Sequence, residues 1–457
     1  MSTEAGSSIE QFNIENPPKA CVDEDDDYSN QNIVFQGDVS TCEYNEDTKE
    51  LQKAYCGITG DSELSAILNV VVSAIGANCF NFAYILQDAG LLYALFMFLF
   101  VTICIYYSID LLRSFIVDTK YYSFALMTEK ILGPRWLKLY AISSLIVYLS
   151  MVVNCENMIY SYVTGILEQI IKQQKNEDNT TSSQDEDVND DIPVLFKLIY
   201  YVGSAVAEIL ICIFTKNTKI HLLSIVALSC FSFILLCIII VSIKKNITGE
   251  VTGKFTENSL LYPKEKHGFT GTLDVLSNFV TFVYGYCYHS TFPTLMGNLY
   301  IVNESTTKRV HIISFASIFC AFFLITFFGF LYEKDVPIVL FIQNIQKIIH
   351  SEFILIVFKI ILSLFFFTLI PIRFMIVRDN YTTLIGKKKV TPKKEMIWTS
   401  LFIIVSNIIV ILLNLNEKEK YQLEITKFIQ IFGGIFGVII CFFCQLLIIH
   451  QLTVKLK

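Results

Sequence analysis

Three groups of residues in this sequence have types and spacing suited to chemistry. The first is Ser73, Gly76, Ala77 and Asn78, small or polar positions inside an otherwise apolar stretch. The second is Tyr284, Gly285, Tyr286, Tyr288 and His289, with Pro293 close behind. The third is Glu156, Glu208 and Lys359, each ionisable and each surrounded in sequence by apolar residues. Where Gly, Pro or polar residues interrupt an apolar helix, a half-helix start offers N–H groups to a carboxylate and a half-helix end offers carbonyls to an ammonium. Two such interruptions facing one another suit a zwitterion. Tyr284, Tyr286, Tyr288 and His289 would wall its pocket, and Gly285 would give the backbone room to unwind.

The ionisable group serves a different task. Charge at membrane depth is costly, and where it occurs it is usually functional, proton transfer being one such use. Glu156, flanked by Asn154 and Asn157, is the first choice as a proton carrier. Glu208 and Lys359 are further candidates, although each lies near a helix end and has the alternative of snorkelling or pairing. His289 has two options, relaying a proton or making an orienting hydrogen bond. Asp110 and Arg113, one turn apart, read as a structural pair.

These residues need helices to hold them. The chain has 457 residues, 53% hydrophobic and 17% charged, with a mean hydropathy of +0.54. Water-soluble domains run nearer to about 25% charged. The expected class is an all-α polytopic membrane protein, and soluble enzymes are excluded. A span needs about 20 apolar residues. Ten stretches qualify, and they are called spans 1 to 10: residues 64–86, 90–116, 137–167, 192–214, 220–243, 272–300, 310–332, 353–377, 396–415 and 425–450. They divide into five and five entering from opposite sides. Span 1 is interrupted by Ser73, Gly76, Asn78 and Asn81, and span 6 by Gly285, His289 and Pro293. Matching interruptions at the first place of two inverted halves point to the substrate site of a secondary transporter.

Charge sets the orientation. Of 35 basic residues, 21 fall on the inner side and 13 on the outer side when the N-terminus is cytoplasmic. The segment from Arg373 to Lys394, which carries seven of them, decides the matter. Both termini are therefore expected inside. Residues 1–63 hold 15 acidic and 3 basic side chains and few apolar ones, which predicts a disordered acidic cytoplasmic tail. Residues 64–457 form the transmembrane domain. No cleavable signal peptide is expected ahead of span 1, so that span would itself direct insertion. The 13 cysteines lack metal-ligand or disulfide spacing and read as small core residues. The sequons at Asn179 and Asn246 on the outer side and Asn303 and Asn380 on the inner side do not discriminate.

Residues 75–84, Ile-Gly-Ala-Asn-Cys-Phe-Asn-Phe-Ala-Tyr, followed by Ala89-Gly90, resemble the helix 1 signature of the amino acid/auxin permease family. Tyr288-His289 with Pro293, then Lys308-Arg309 and Gly329 to Tyr332, is similar to its helix 6 to 7 region, and Pro371-Ile372-Arg373 to its helix 8 exit. The resemblance implies a leucine-transporter-like fold and transport of amino acids, coupled to protons in many members and to sodium in others. Departures are Asn78 for the second Gly of the motif, Ala83 for its Pro, and ten spans where eleven are usual. The family's sodium coupling uses an Asn at the place of Val72, whose side chain offers no oxygen, so protons are the expected coupling ion.

The expected function is secondary active transport of amino acids. The partners are an amino acid substrate, the proton and membrane lipid, with no nucleic acid, metal or cofactor. The host membrane is the plasma membrane or a lysosome- or vacuole-like one. A transporter-like amino acid sensor, signalling through the acidic tail, is the alternative. An intramembrane enzyme is disfavoured, since none of the six His lies in a zinc-binding H-E-x-x-H.

Overall fold

The computed structural model describes residues 62–76, 79–80, 82–178, 194–214, 220–248, 269–332, 352–385, 392–414, 429 and 431–448. Residues 1–61 of the acidic tail expected to be disordered, and Ala77 and Asn78 of the first motif, lie outside the described residues; the last two residues of that tail, Ser62 and Glu63, instead open the first helix. The elements are helices: α1 (Glu63–Ala74), α2 (Phe82–Ala89), α3 (Leu91–Thr119), α4 (Phe124–Leu132), α5 (Pro134–Asp178), α6 (Val194–Phe214), α7 (Ile220–Thr248), α8 (Phe269–Gly285), α9 (Phe292–Gly297), α10 (Glu304–Tyr332), α11 (Glu352–Ile385) and α12 (Pro392–Asn414). A last helix, α13, runs Ile431–Ile448. Seven of these are long and apolar enough to cross a membrane, each with exposed Leu, Ile or Phe side chains facing outward and a buried face inward. The protein is an integral multi-pass membrane protein.

Spans 1 and 6 are each split, span 1 into α1 and α2 and span 6 into α8 and α9. The order of spans follows the expected one, and the packing repeats between the halves. If span n of the first half corresponds to span n + 5 of the second, the α5–α12 contact (spans 3 and 9) has its counterpart in α11–α6 (spans 8 and 4). In the same way α1–α10 (spans 1 and 7) matches α8–α3 (spans 6 and 2), and α7–α11 (spans 5 and 8) matches α13–α5 (spans 10 and 3). The α6–α12 contact, spans 4 and 9, maps onto itself. A hydrophobic pattern alone carries no such pairing; these mirrored contacts are what an inverted repeat requires.

Local chemistry sets several ends. Ser62 caps α1, its hydroxyl accepting from the Ser65 N–H at 3.2 Å, with Glu63 in the first turn favouring the helix dipole. Gly90 and Gly133 adopt positive φ, 83° and 94°, which allows α3 and α5 to start directly after α2 and α4. One boundary differs from expectation. Helix α11 continues past span 8 to Ile385, and Arg373, counted among the inner-loop charges although span 8 itself runs to residue 377, belongs to the helix; it is 2% exposed. Removing it from the inner tally leaves the charge bias in the same direction.

Candidate functional site

The break in span 6 is built from a helix that runs out of hydrogen bonds. Tyr286 N–H is shared between the Phe282 and Val283 carbonyls at 3.3 and 3.1 Å, and Cys287 N–H reaches Tyr284 O at 3.2 Å. Tyr288 N–H then closes a tight turn onto Tyr286 O at 2.8 Å. Helix α9 restarts with Pro293 in its first turn, where no N–H is needed. Among the described residues no hydrogen bond reaches the carbonyls of Gly285 or Cys287. The break thus spans residues 286–291, close to the expected place. Gly285 does not supply the unwinding itself, because its φ is not positive. Its missing side chain makes room for the Phe82 ring, which occupies the space where a Cβ would stand.

The tyrosines of this segment divide by task. Tyr284 OH pairs with Ser150 Oγ of α5 at 2.6 Å, and Tyr286 OH with Thr102 Oγ1 of α3 at 3.0 Å. The Tyr286 ring packs among Phe82, Phe98 and Phe322. Both tyrosines therefore tie the break to neighbouring helices. Tyr288 OH, by contrast, has no hydrogen-bond partner among the described residues, and the side chain is 1% exposed.

His289 is held on both ring nitrogens, Nε2 lying 3.1 Å from Ser108 Oγ and Nδ1 3.0 Å from Cys441 Sγ. Cys441 sits in a π-helical stretch of α13, Ile439–Cys444, and such wider turns release carbonyls. Ser108 Oγ donates to the Cys441 carbonyl at 2.8 Å and also meets Gln445 Oε1. This arrangement fits the orienting role for His289, linking the break to α3 and α13.

Opposite the break, α5 presents Tyr140, Ser144 and Tyr148 at four-residue spacing, hence on one face. Tyr148 OH meets Thr291 Oγ1 at 3.3 Å, and Tyr140 lies near Ser290. Sequence reasoning missed this hydroxyl face, although its spacing was available.

The break in span 1 holds the main surprise. After α1 the backbone is extended at Ile75, and Cys79 N–H and Sγ both turn back to the Gly76 carbonyl, at 3.2 and 3.0 Å. The Ser73 hydroxyl bonds back to Val70 O at 2.8 Å. Two of the carbonyls at the end of α1 already have a cationic donor. Arg373 of α11 donates through Nη1 to Ser73 O and through Nη2 to Ile75 O at 3.3 Å. A Cβ on Gly76 would lie 2.8 Å from Arg373 Nη2, so the space beside Gly76, expected to admit substrate, is filled by a guanidinium. Among the described residues no carboxylate forms an ion pair with Arg373.

The three ionisable candidates do not share one place. Glu156 of α5 and Glu208 of α6, each 3% exposed, meet beside α12. Ser406 Oγ donates to Glu156 Oε1 at 2.5 Å and Asn407 Nδ2 to Glu208 Oε2 at 3.1 Å. Lys359 is elsewhere, donating from Nζ to Gly165 O at 3.0 Å and Gln169 Oε1 at 3.3 Å, which ties α11 to α5. Arg113 Nε donates to Asp110 Oδ1 at 2.8 Å, the one-turn pair expected. Among the described residues no group of three His, Cys, Asp or Glu is placed to hold a metal ion.

Tyr148, Tyr286, Tyr288 and His289 are each at most 1% exposed. A family model described as transmembrane amino acid transporter protein matches residues 59–451. Comparison with curated protein sequences gives no significant match. Among solved structures, a Na⁺-coupled sialic acid symporter, substrate-bound and outward-open, is similar with a TM-score of 0.53 at 14% identity, over 85% of this chain and 79% of that one. MhsT in complex with L-phenylalanine gives a TM-score of 0.46 at 14% identity, over 87% of this chain and 99% of that one.

Proposed function

Given that the chain belongs to the transmembrane amino acid transporter protein family, we propose that it carries out secondary active transport of amino acids, coupled to protons. The observation that carries the coupling half is Arg373. A half-helix end is a natural ligand for a mobile cation, and here its carbonyls at Ser73 and Ile75 are met by a cation that belongs to the chain. Val72 adds no side-chain oxygen. The charge that a sodium ion would bring to this place is already present. The sialic acid symporter is described as Na⁺-coupled, but the likeness at 14% identity is one of fold.

The substrate's two charges find different partners. The ammonium fits the carbonyls of Gly285 and Cys287, which accept no described hydrogen bond. The carboxylate fits the N-terminal end of α2, where the half-helix dipole is positive. Tyr288 OH, buried and without a described partner, is available to hydrogen-bond the substrate. Gly76, Gly285, Tyr286 and His289 border this site, and Ser73 acts through the carbonyl that holds Arg373; Ala77 and Asn78, expected beside Gly76, lie outside the described residues.

Tyr288→Phe tests this pocket. A hydrogen bond contributes about 1 kcal/mol, so KM for labelled amino acid uptake is expected to rise roughly fivefold to tenfold. Thermal stability should hold, because the lost hydroxyl has no described protein partner. An unchanged KM would remove Tyr288 from the site. A wild-type protein that binds amino acids yet moves none across the membrane would favour a sensor acting through the acidic tail.

A further inference from the structure

The Glu156 and Glu208 carboxyls lie within hydrogen-bonding reach of one another. Glu156 Oε2 is buried with no donor, while Oε1 is satisfied by Ser406 and Glu208 by Asn407, both uncharged. Among the described residues, the groups facing the pair from the packed helices offer no cation. Helix α5 contributes Glu156 itself, α6 contributes Tyr200 and Cys212, and α12 contributes Ser406 and Asn407. On α11 the described cations are Lys359, Arg373 and Arg378; the Lys359 ammonium is bonded to Gly165 and Gln169, about 13 Å further along α5 at 1.5 Å per residue, the Arg373 guanidinium is bonded to the Ser73 and Ile75 carbonyls of the span 1 break, and Arg378 lies a further turn beyond Arg373. Among the described residues neither glutamate forms an ion pair.

Depth makes this arrangement consequential. Glu208 is fourteen residues from the start of α6 at Val194, and Ser406 fourteen from the start of α12 at Pro392. The pair is therefore about 20 Å along each of two helices that run in opposite directions. That places it well inside a hydrocarbon layer about 30 Å thick. Counting along α5 alone would put Glu156 nearer the outer surface, but the partners it meets draw it inward. Two carboxylates in contact, buried and without a cation, repel strongly, and one proton between them removes both the repulsion and the orphaned oxygen.

We propose that Glu156 and Glu208 form one proton-binding site, in which a single proton is shared between Glu156 Oε2 and Glu208 and is the proton moved in each transport cycle. The proposal rests on the proton-coupled reading above and specifies its site. With the proton bound, the pair can be occluded. Without it, two facing carboxylates need water, so the unprotonated site stays open to one side. Occlusion is thereby conditional on protonation, which is what coupling demands. The titration belongs to the pair, not to either residue.

Gln at either position supplies an amide that donates to the remaining carboxylate, so occlusion no longer needs a proton. Glu156→Gln, Glu208→Gln and the double variant should each lose pH-gradient-driven accumulation by at least about tenfold, all to the same level. Counterflow of labelled amino acid, which needs no gradient, should fall less. In purified wild type an infrared C=O band of a protonated carboxyl is expected, and each single Gln variant should lack it. Should a Gln variant fail to reach the membrane, Glu208→Asp, shorter by one methylene, replaces it and is expected to weaken accumulation in the same way. A double variant much worse than either single one, or a band that survives Glu156→Gln, would overturn the shared proton. A wild type indifferent to pH gradients would overturn proton coupling itself, and the infrared band would still decide whether the proton is shared.

Discussion

Replacing Arg373 with Gln is expected to abolish uptake while leaving the chain inserted in the membrane. The guanidinium meets two carbonyls at the end of α1, those of Ser73 and Ile75, from a position 2% exposed. Gln is shorter and uncharged, and its amide cannot serve both carbonyls. A buried acceptor left without a donor costs about 1–3 kcal/mol, and the loss falls where α1 must keep its place against α11. At about 1.4 kcal/mol per tenfold, two such losses correspond to roughly a hundredfold fall in transport rate. Lys restores the charge but not the planar fork that spans two acceptors, so Arg373→Lys should recover only part of the activity. The measurement is the initial rate of labelled amino acid uptake, normalised to protein reaching the membrane. Uptake by the Gln variant close to wild type would show that the carbonyls of span 1 are free to be satisfied in some other way.

Gly76→Leu should be equally severe, for a reason that involves the same guanidinium. Any Cβ at residue 76 would lie 2.8 Å from Arg373 Nη2, closer than atoms tolerate, so the guanidinium must shift and its Nη2 bond to Ile75 O is the first to suffer. Leu adds bulk that also closes the approach to the N-terminal end of α2. Gly76→Ala carries only the first of these effects and should retain partial activity. The two positions are predicted to be strongly non-additive: once Arg373 is replaced by Gln, adding Gly76→Ala should cost little more. Normal uptake by a correctly inserted Gly76→Leu protein would contradict the assignment, and so would full additivity of the Ala and Gln changes.

How far the sequence foretold the site depends on whether the relevant signal was local. The two broken spans were legible, because Gly76 in one and Gly285 and Pro293 in the other interrupt apolar runs at matching places. Pro293 acts as the spacing implies, opening α9. Gly285 proved to be needed for a tertiary reason, the Phe82 ring lying against it. Arg373 was counted as a loop charge although it lies within span 8; its place at the span 1 break depends on packing between α11 and α1, which charge counting does not register. Glu156 and Glu208 were each legible as costly charges in apolar runs. Their meeting was not, because it depends on packing between α5, α6 and α12, which no spacing along the chain encodes. Lys359 met the same criterion and yet serves as a tie between helices, which shows that burial of a charge marks importance without specifying the task.

The most direct test is accumulation of a labelled amino acid by purified protein in liposomes. A pH gradient, acid outside, would be imposed in sodium-free buffer and then collapsed with a protonophore. Accumulation above the equilibrium level under the gradient, its loss on collapse, and no gain on adding sodium are the predicted results. Accumulation that requires a sodium gradient and ignores pH would contradict the account.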